Sequence, residues 1–298
     1  MNSIRGLLYA VVSSATFGLV PFFALPAIHA GVAVNTVVFY RFFLSFIAMG
    51  IVLLLKKESF KISKDDYKML CLLSIFYAAT SLLLTLSYLY IPSGMATTIH
   101  FLYPVLVTLI MILLFKERGN WIIYLATGLA VVGVGFLGNS EGGQHFSTIG
   151  LTLALITVCT YATYIVGIQK FRIRSMDGLK MTFYVLLNCA IIFFINALVQ
   201  DGGFAPIPDI STAVHLVLLA LVPTLISDLT LILAVKRVVP TTTAILGALE
   251  PLTAVFMGIM FLNENCSPTQ VAGILVVLFA VTLAIVGTQK MRKSVKED

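Results

Sequence analysis

Four ionisable side chains stand inside long apolar stretches of the chain: Arg41, His100, Asp228 and Glu250. A charge at the centre of a hydrocarbon layer costs at least ~2.5 kcal/mol, so each of these groups is expected to face a polar cavity or a partner. Together they supply a fixed cation, a proton carrier and two carboxyls, which is chemistry suited to holding a small polar solute or relaying a proton. Prolines stand beside two of them. Pro251 removes a helix N–H donor and is expected to free the carbonyl of Gly247, and Pro104 does the same for the carbonyl of His100.

Each residue has a structural reading beside the functional one. Glu250 either binds solute or protons, or is a protonated carboxyl bonded across a helix interface for packing alone. Arg41 pairs with Glu250, grips a solute carboxylate in a two-pronged contact, or snorkels toward outer headgroups. Asp228 shares a face with Ala220 and Thr224 on a stretch loosened by Pro223; it serves an inner cavity or gate, or pairs with Lys236 or Arg237. His100, on a face with Thr97, Pro104 and Thr108, is an interhelical hydrogen-bonding residue or a proton relay. Tyr77, Tyr103 and Tyr161 would add an apolar wall with polar tips, whereas Tyr90 at a stretch end reads as an interfacial anchor.

The elements that must hold these groups follow from charge scarcity. Of 298 residues, 59% are hydrophobic and 11% charged, with mean hydropathy +1.04, against about 25% charged in a soluble domain. A water-facing surface cannot be built from that composition, which excludes nucleic-acid binders, disordered chains and disulfide-stapled secreted folds. Ten apolar stretches emerge, near 6–27, 34–55, 69–91, 93–115, 120–138, 148–169, 179–200, 213–235, 240–262 and 269–288. About 20 residues of helix cross a bilayer core, and backbone groups in lipid must be bonded internally. The expectation is an all-α integral membrane protein with ten transmembrane helices. With ten crossings, 18 of the 19 Lys and Arg residues fall on one side, so both termini are expected in the cytoplasm. Opposite loops carry Glu141, Asp201, Asp209 and Glu264 and no Lys or Arg.

The chain also repeats itself. An offset of 147 matches Tyr103-Pro104 with Glu250-Pro251, Ser81 with Asp228, Ser93 with Pro240 and Glu117 with Glu264. An offset of 144 matches Gly6 with Gly150, Thr16-Phe17 with Thr160-Tyr161, and Phe39-Tyr40 with Phe183-Tyr184. Two five-helix halves are expected, residues 1–140 and 147–298. Five is odd, so the second half enters the membrane from the opposite face. Inverted repeats with broken helices at corresponding positions suit alternating access to a midplane site.

The run Ala248-Leu249-Glu250-Pro251 leading to Phe261-Leu262-Asn263-Glu264-Asn265, then Gln270 to Gly273, resembles the EamA family of the drug/metabolite transporter superfamily. Leu102-Tyr103-Pro104, Phe115-Lys116-Glu117-Arg118 and Gly128 form its counterpart in the first half. The resemblance covers the whole chain. It implies a secondary transporter, commonly an exporter of amino acids or other small metabolites across the bacterial inner membrane, and an acidic residue at Glu250. Two departures stand out. Phe17-Gly18 replaces a Trp-Gly pair, altering a pocket wall, and two extra residues between Glu117 and Gly128 lengthen a turn.

The leading expectation is therefore a small-molecule secondary transporter, with proton coupling as an added feature and the lipid bilayer as its partner. A passive channel or facilitator is the alternative, and an intramembrane enzyme resting on His100 and Asp228 comes third. Neither a Walker motif nor a metal cluster is present, so ATP hydrolysis, cofactors and metals are not expected. Cys71, Cys159, Cys189 and Cys266 have no paired spacing and read as packers. Gly128, Gly135 and Gly138 in the fifth stretch, and Gly273, Ala280, Ala284 and Gly287 in the tenth, let backbones approach. That close packing is expected either between the halves or between protomers of a homodimer.

Overall fold

A computed structural model describes residues 2–116, 119, 121–137, 147–204, 206–235, 237, 243 and 245–297. The helices are α1 (Asn2–Phe17), α2 (Val20–His29), α3 (Val34–Leu55), α4 (Lys64–Ser87), α5 (Ser93–His100), α6 (Tyr103–Leu113), α7 (Trp121–Leu137), α8 (Thr148–Lys170), α9 (Gly178–Gln200), α10 (Ile210–Ala220), α11 (Ser227–Val235), α12 (Leu249–Phe261) and α13 (Pro268–Glu297). A short 3₁₀ turn, Arg172–Ser175, precedes α9, and a π-helical turn, Leu221–Ile226, joins α10 to α11. No strand occurs among the described residues.

Eight of the expected stretches coincide with helices long and apolar enough to cross a bilayer, counting α1–α2, α5–α6 and α10–α11 as single broken helices. The other two coincide with the shorter apolar helices α7 and α12. Large apolar side chains face outward at mid-helix, among them Val131, Ile195 and Leu275 at 69%, 54% and 59% exposure. In water such a belt would be an aggregation surface, and in lipid it is the natural solvent boundary.

Helix starts at the loops are set by side chains that satisfy orphan N–H groups. Ser63 accepts from Asp66 N, Ser147 from Gly150 N, Asp177 from Leu179 N and Asp209 from Thr212 N, at 3.1, 3.3, 2.9 and 2.7 Å. The Ser63 cap explains why α4 begins five residues before the expected 69: a good cap extends the helix through its charged first turn. Ser267 and Gln270 form a reciprocal capping box on α13.

Breaks come from proline and from close approach. The helix pauses at Phe101 and Leu102 before Pro104, and again at Gly247 and Ala248 before Pro251. The expected continuous stretch 240–262 is accordingly interrupted, and residues 238–242 and 244 lie outside the described ones. The expected free carbonyl of Gly247 is corrected: Glu250 N–H donates to it at 3.0 Å, because a tightened turn recovers the bond Pro251 cannot make. An unexpected break at Gly18 and Leu19 divides α1 from α2. Pro21 in the first turn of α2 has no N–H to give to the Phe17 carbonyl, and a Cβ on Gly18 would run into the carbonyl oxygen of Glu250. Proline thus loosens the helix where glycine lets two backbones meet.

Packing between the halves follows one scheme. The extensive pairings are α7 with α13, α3 with α9, and α5 with α12, while α4 on α8 is matched by α1 on α11. Likewise α6 on α8 is matched by α1 on α12, and α4 on α9 by α10 on α3. Exchanging the halves maps this set onto itself. The repeat also reaches the turns: Lys116 and Asn263, 147 positions apart, are left-handed at φ 54° and 55°. Of the small residues, Gly133 packs on Val277 and Gly273 on the Gly133 carbonyl, so α7 and α13 meet within one chain. Gly128 and Gly135 meet nothing, and Gly138 lies outside the described residues.

Candidate functional site

Arg41 is 5% exposed, and its polar contacts among the described residues are to neutral groups. Its Nε donates to Thr224 Oγ1 at 2.9 Å and its Nη1 reaches Ser81 Oγ at 3.4 Å. The guanidinium lies over Phe17 and Phe42, 5.7 and 5.4 Å from their ring centres, which is the range of cation–π attraction. The Phe17 departure from a Trp-Gly pair thus stands against the buried cation. Of the three readings of Arg41, the structure sets aside two. No ion pair joins it to Glu250, and a buried side chain bonded to α4 and the π-helical turn is not snorkelling.

That π-helical turn explains why Thr224 is available. Pro223 has no N–H, so the Leu219 carbonyl loses its helical donor, and Thr224 Oγ1 supplies one at 3.2 Å. Ser45 Oγ lies 2.8 Å from the Ala220 carbonyl and 2.6 Å from that of Arg41, one hydroxyl hydrogen bridging the widened turn to α3. With its hydrogen committed to Leu219, Thr224 Oγ1 presents lone pairs to Arg41.

A wall of tyrosines continues from this corner. Phe42 meets Tyr77 at 5.8 Å, Tyr77 stacks on Tyr164 at 5.0 Å, and Tyr161 meets Tyr77 at 6.2 Å and Tyr103 edge-on at 4.6 Å. The three expected tyrosines therefore come together with a fourth, Tyr164. Tyr40, next to Arg41 in sequence, packs instead on Phe39 and Phe204, and Tyr90 is exposed.

His100 closes the far end, 5.1 Å from the Tyr161 ring and 5.7 Å from that of Tyr103. Thr157 Oγ1 gives its hydrogen to the Ala154 carbonyl at 2.6 Å, so it accepts from His100 Nδ1 at 2.9 Å. Assigned from this network, the neutral ring carries its proton on Nδ1 and leaves Nε2 as an acceptor. The bond spans α5 and α8, as the interhelical reading required.

Glu250 is 8% exposed, and its Oε1 has no hydrogen-bond partner. A buried carboxyl oxygen left unpaired costs about 1–3 kcal/mol or more, so it marks a place where a solute, a proton or a water would be bound. The reading of Glu250 as a carboxyl bonded for packing alone is not what the structure contains. Asp228 is partly exposed beside Ser227, whose hydroxyl donates to the Ser13 carbonyl at 2.9 Å while Ser13 Oγ donates to the Ser227 carbonyl at 2.9 Å. The expected pairing of Asp228 with Arg237 does not occur: Arg237 donates to Leu233 O at 3.1 Å and lies over Tyr9. Lys236 lies outside the described residues. Arg41 forms no hydrogen bond or ion pair with Asp228 or Glu250. No hydrogen bond joins His100 to Asp228, the pair an intramembrane enzyme would use.

Thr224 was visible in the sequence only as a neighbour of Asp228. Its role follows from Pro223, because a missing N–H demands a substitute donor nearby. Glu264 was read as a motif residue and an outer charge; it in fact caps α5, accepting from Ser93 N at 2.8 Å and Gly94 N at 3.4 Å. Glu117 and Arg118 lie outside the described residues.

A long, outward-apolar helical bundle enclosing a cation, two carboxyls and a tyrosine wall defines a multi-pass membrane protein with a polar interior. The chain belongs to the EamA-like transporter family, which matches residues 4–139 and again residues 148–286. A curated relative, an uncharacterized transporter of Synechocystis sp., is 25% identical over 205 residues, covering 67% of this chain. The chain spans 61% of that relative's length. Among solved structures, one crystal structure aligns with TM-score 0.66 at 16% identity, covering 97% of this chain and 98% of the other. That likeness concerns the fold.

Proposed function

We propose that the protein is a secondary transporter that moves a small metabolite bearing an anionic group across the bacterial inner membrane by alternating access, in the direction of export. The observation carrying this reading is Arg41: a buried cation whose hydrogen bonds among the described residues go to neutral hydroxyls, in an interior where Glu250 Oε1 also lacks a partner. Hydroxyls orient a guanidinium without neutralising it, so an incoming carboxylate or similar anion completes the pair. Tyr77, Tyr103, Tyr161 and Tyr164 would clasp the apolar part of the solute. Glu250 would take a cationic group of the solute or the coupled proton, with His100 and Asp228 lining the route. Ten crossings, two inverted halves, 1–140 and 147–298, and cytoplasmic termini are the architecture that serves this cycle. It is supported by packing that maps onto itself when the halves are exchanged.

A thermal-shift panel of amino acids, sugars and nucleotides on purified protein identifies the solute class, and counterflow with the hit tests the mechanism. Solute-loaded proteoliposomes should accelerate uptake of labelled solute, and Glu250→Gln should abolish most of that exchange while the protein still inserts. Unstimulated, non-saturating flux would establish a passive channel instead. Unchanged exchange across pH in Glu250→Gln would remove Glu250 from the cycle.

A further inference from the structure

The carboxylate of Glu264 does a task that the binding cluster does not need. It leaves the turn between α12 and α13 and seats on the N-terminus of α5, bonding Ser93 N at 2.8 Å and Gly94 N at 3.4 Å. The partner helix is short and wholly buried, running from Ser93 to His100, so the bond ties the surface turn to the helix that carries His100. Three further details make the seat specific. Asn263 is left-handed at φ 55° and Glu264 N–H returns to the Gly258 carbonyl at 3.0 Å, which together aim the side chain across the interface. Any Cβ at residue 258 would occupy the carboxylate's position, so Gly258 keeps the seat open. Gly94 likewise allows Val255 to lie against the α5 backbone, where a Cβ would come within 2.6 Å of Val255 Cγ2.

The tie joins the fourth span to the ninth, the two spans broken by Pro104 and Pro251, and it bridges opposite halves of the chain. Elements that part in alternating access must be held by contacts that are favourable yet breakable. A carboxylate on a helix N-terminus meets that need: the dipole and two N–H donors hold it, and water replaces both when the spans separate. We infer that Glu264 is the latch of a gate on this face, closed here and released when the solute pathway opens toward it. The inference rests on the transporter reading above. A shallow recess beside the latch, lined by Pro92, Met95, Val255, Gln270 and Cys266, brings a natural thiol to the seam. Cys266 is half-buried and forms no disulfide, and burial together with the neighbouring Glu264 charge holds its thiol pKa up. Its reactivity therefore reports how often the seam opens in a variant that keeps the Glu264 charge, which makes Gly258→Ala the deciding one below.

The test uses the full chain in lipid nanodiscs, where a maleimide reaches both faces, and modification at Cys266 is followed by peptide mass spectrometry. Glu264→Gln keeps the shape and removes the charge; Gly258→Ala leaves Glu264 intact and expels it from its seat. Both should raise the labelling rate at Cys266 about tenfold, the effect of losing one charge-assisted hydrogen bond from a closed state. Labelling at Cys189, buried between other helices, serves as the folding control and should not change. Both variants should also slow counterflow of the identified solute, because a seam that stays open is one side of the cycle lost. Unchanged Cys266 labelling in Gly258→Ala overturns the latch, and so does faster labelling with unaltered exchange, which would make the contact a local cap. Wild-type protein without exchange overturns the transporter reading alone, and the labelling comparison still decides whether the carboxylate holds the seam.

Discussion

At the scale of single residues, the interior is organised by one guanidinium. Arg41 presents planar N–H donors to Thr224 and Ser81 and a flat face to Phe17 and Phe42, a combination that lysine cannot reproduce. Arg41→Lys keeps the charge and should therefore separate orientation from electrostatics. For an anionic solute identified in the thermal-shift panel, apparent affinity is expected to fall about tenfold in Arg41→Lys and about a hundredfold in Arg41→Gln, the range of charged hydrogen bonds. The neutral amide of the same solute should bind all three proteins alike. Equal losses for acid and amide would show that Arg41 holds the helices and not the ligand. Four groups were legible as candidates because ionisable residues are rare and costly in apolar stretches. Their partners were not, since Thr224, Ser81 and Thr157 are ordinary hydroxyl residues until folding brings α3, α4, α5, α8 and the π-helical turn together.

At the scale of elements, composition and length identified the apolar helices, and charge marked most of their ends. Breaks were legible only in part. Pro104, Pro223 and Pro251 each coincide with irregular helix, as missing donors require. The division at Gly18 follows the same rule, with Pro21 in the first turn of α2 unable to donate to the Phe17 carbonyl and Gly18 lying against the Glu250 carbonyl. Small residues gave a similar mixed outcome. The stripe on α13 was readable as a site of close approach, but the one expected on α7, Gly128, Gly135 and Gly138, was not the contact face: Gly133 meets Gly273, Gly128 and Gly135 face outward, and Gly138 lies outside the described residues. A substitution separates those roles. In Gly133→Leu the added side chain would lie against Val277 and force α7 from α13, so thermal stability in detergent should drop by an amount typical of overpacking, about 1–3 kcal/mol. Gly128→Leu, placed in open space, should melt as the wild type does. Equal destabilisation by both would mean that the outward face is covered, and then the homodimer reading would gain the surface it needs.

At the scale of the whole molecule, the question is how one sequence would build two halves that enter the membrane from opposite faces. Topology is set by where bases stop: a Lys or Arg beside a span is retained on the cytoplasmic side, and in the ten-crossing reading 18 of them line one set of connections. Lys56, Lys57, Lys61, Lys64 and Lys68 follow the second span of the first half, and Lys170, Arg172, Arg174 and Lys180 the first span of the second. These clusters are four spans apart and so on one side, while corresponding points of the two halves lie five spans apart. An even number would make the halves parallel, and the pairings α4 on α8 and α1 on α11 would then relate by an axis along the membrane normal. An odd number turns that axis into the membrane plane, which is what would let one arrangement open inward and its exchanged counterpart open outward. Reporter fusions decide between them. Alkaline phosphatase fused after residue 142 should be active and a fluorescent protein at the same point dark, whereas after residue 298 the fluorescent protein should be bright and the phosphatase inactive. Both junctions reporting the same side would make the number of crossings between them even and overturn the five-crossing second half; with residue 298 outside, Glu264, one crossing before it, would lie on the cytoplasmic face and the proposed latch would close the opposite gate.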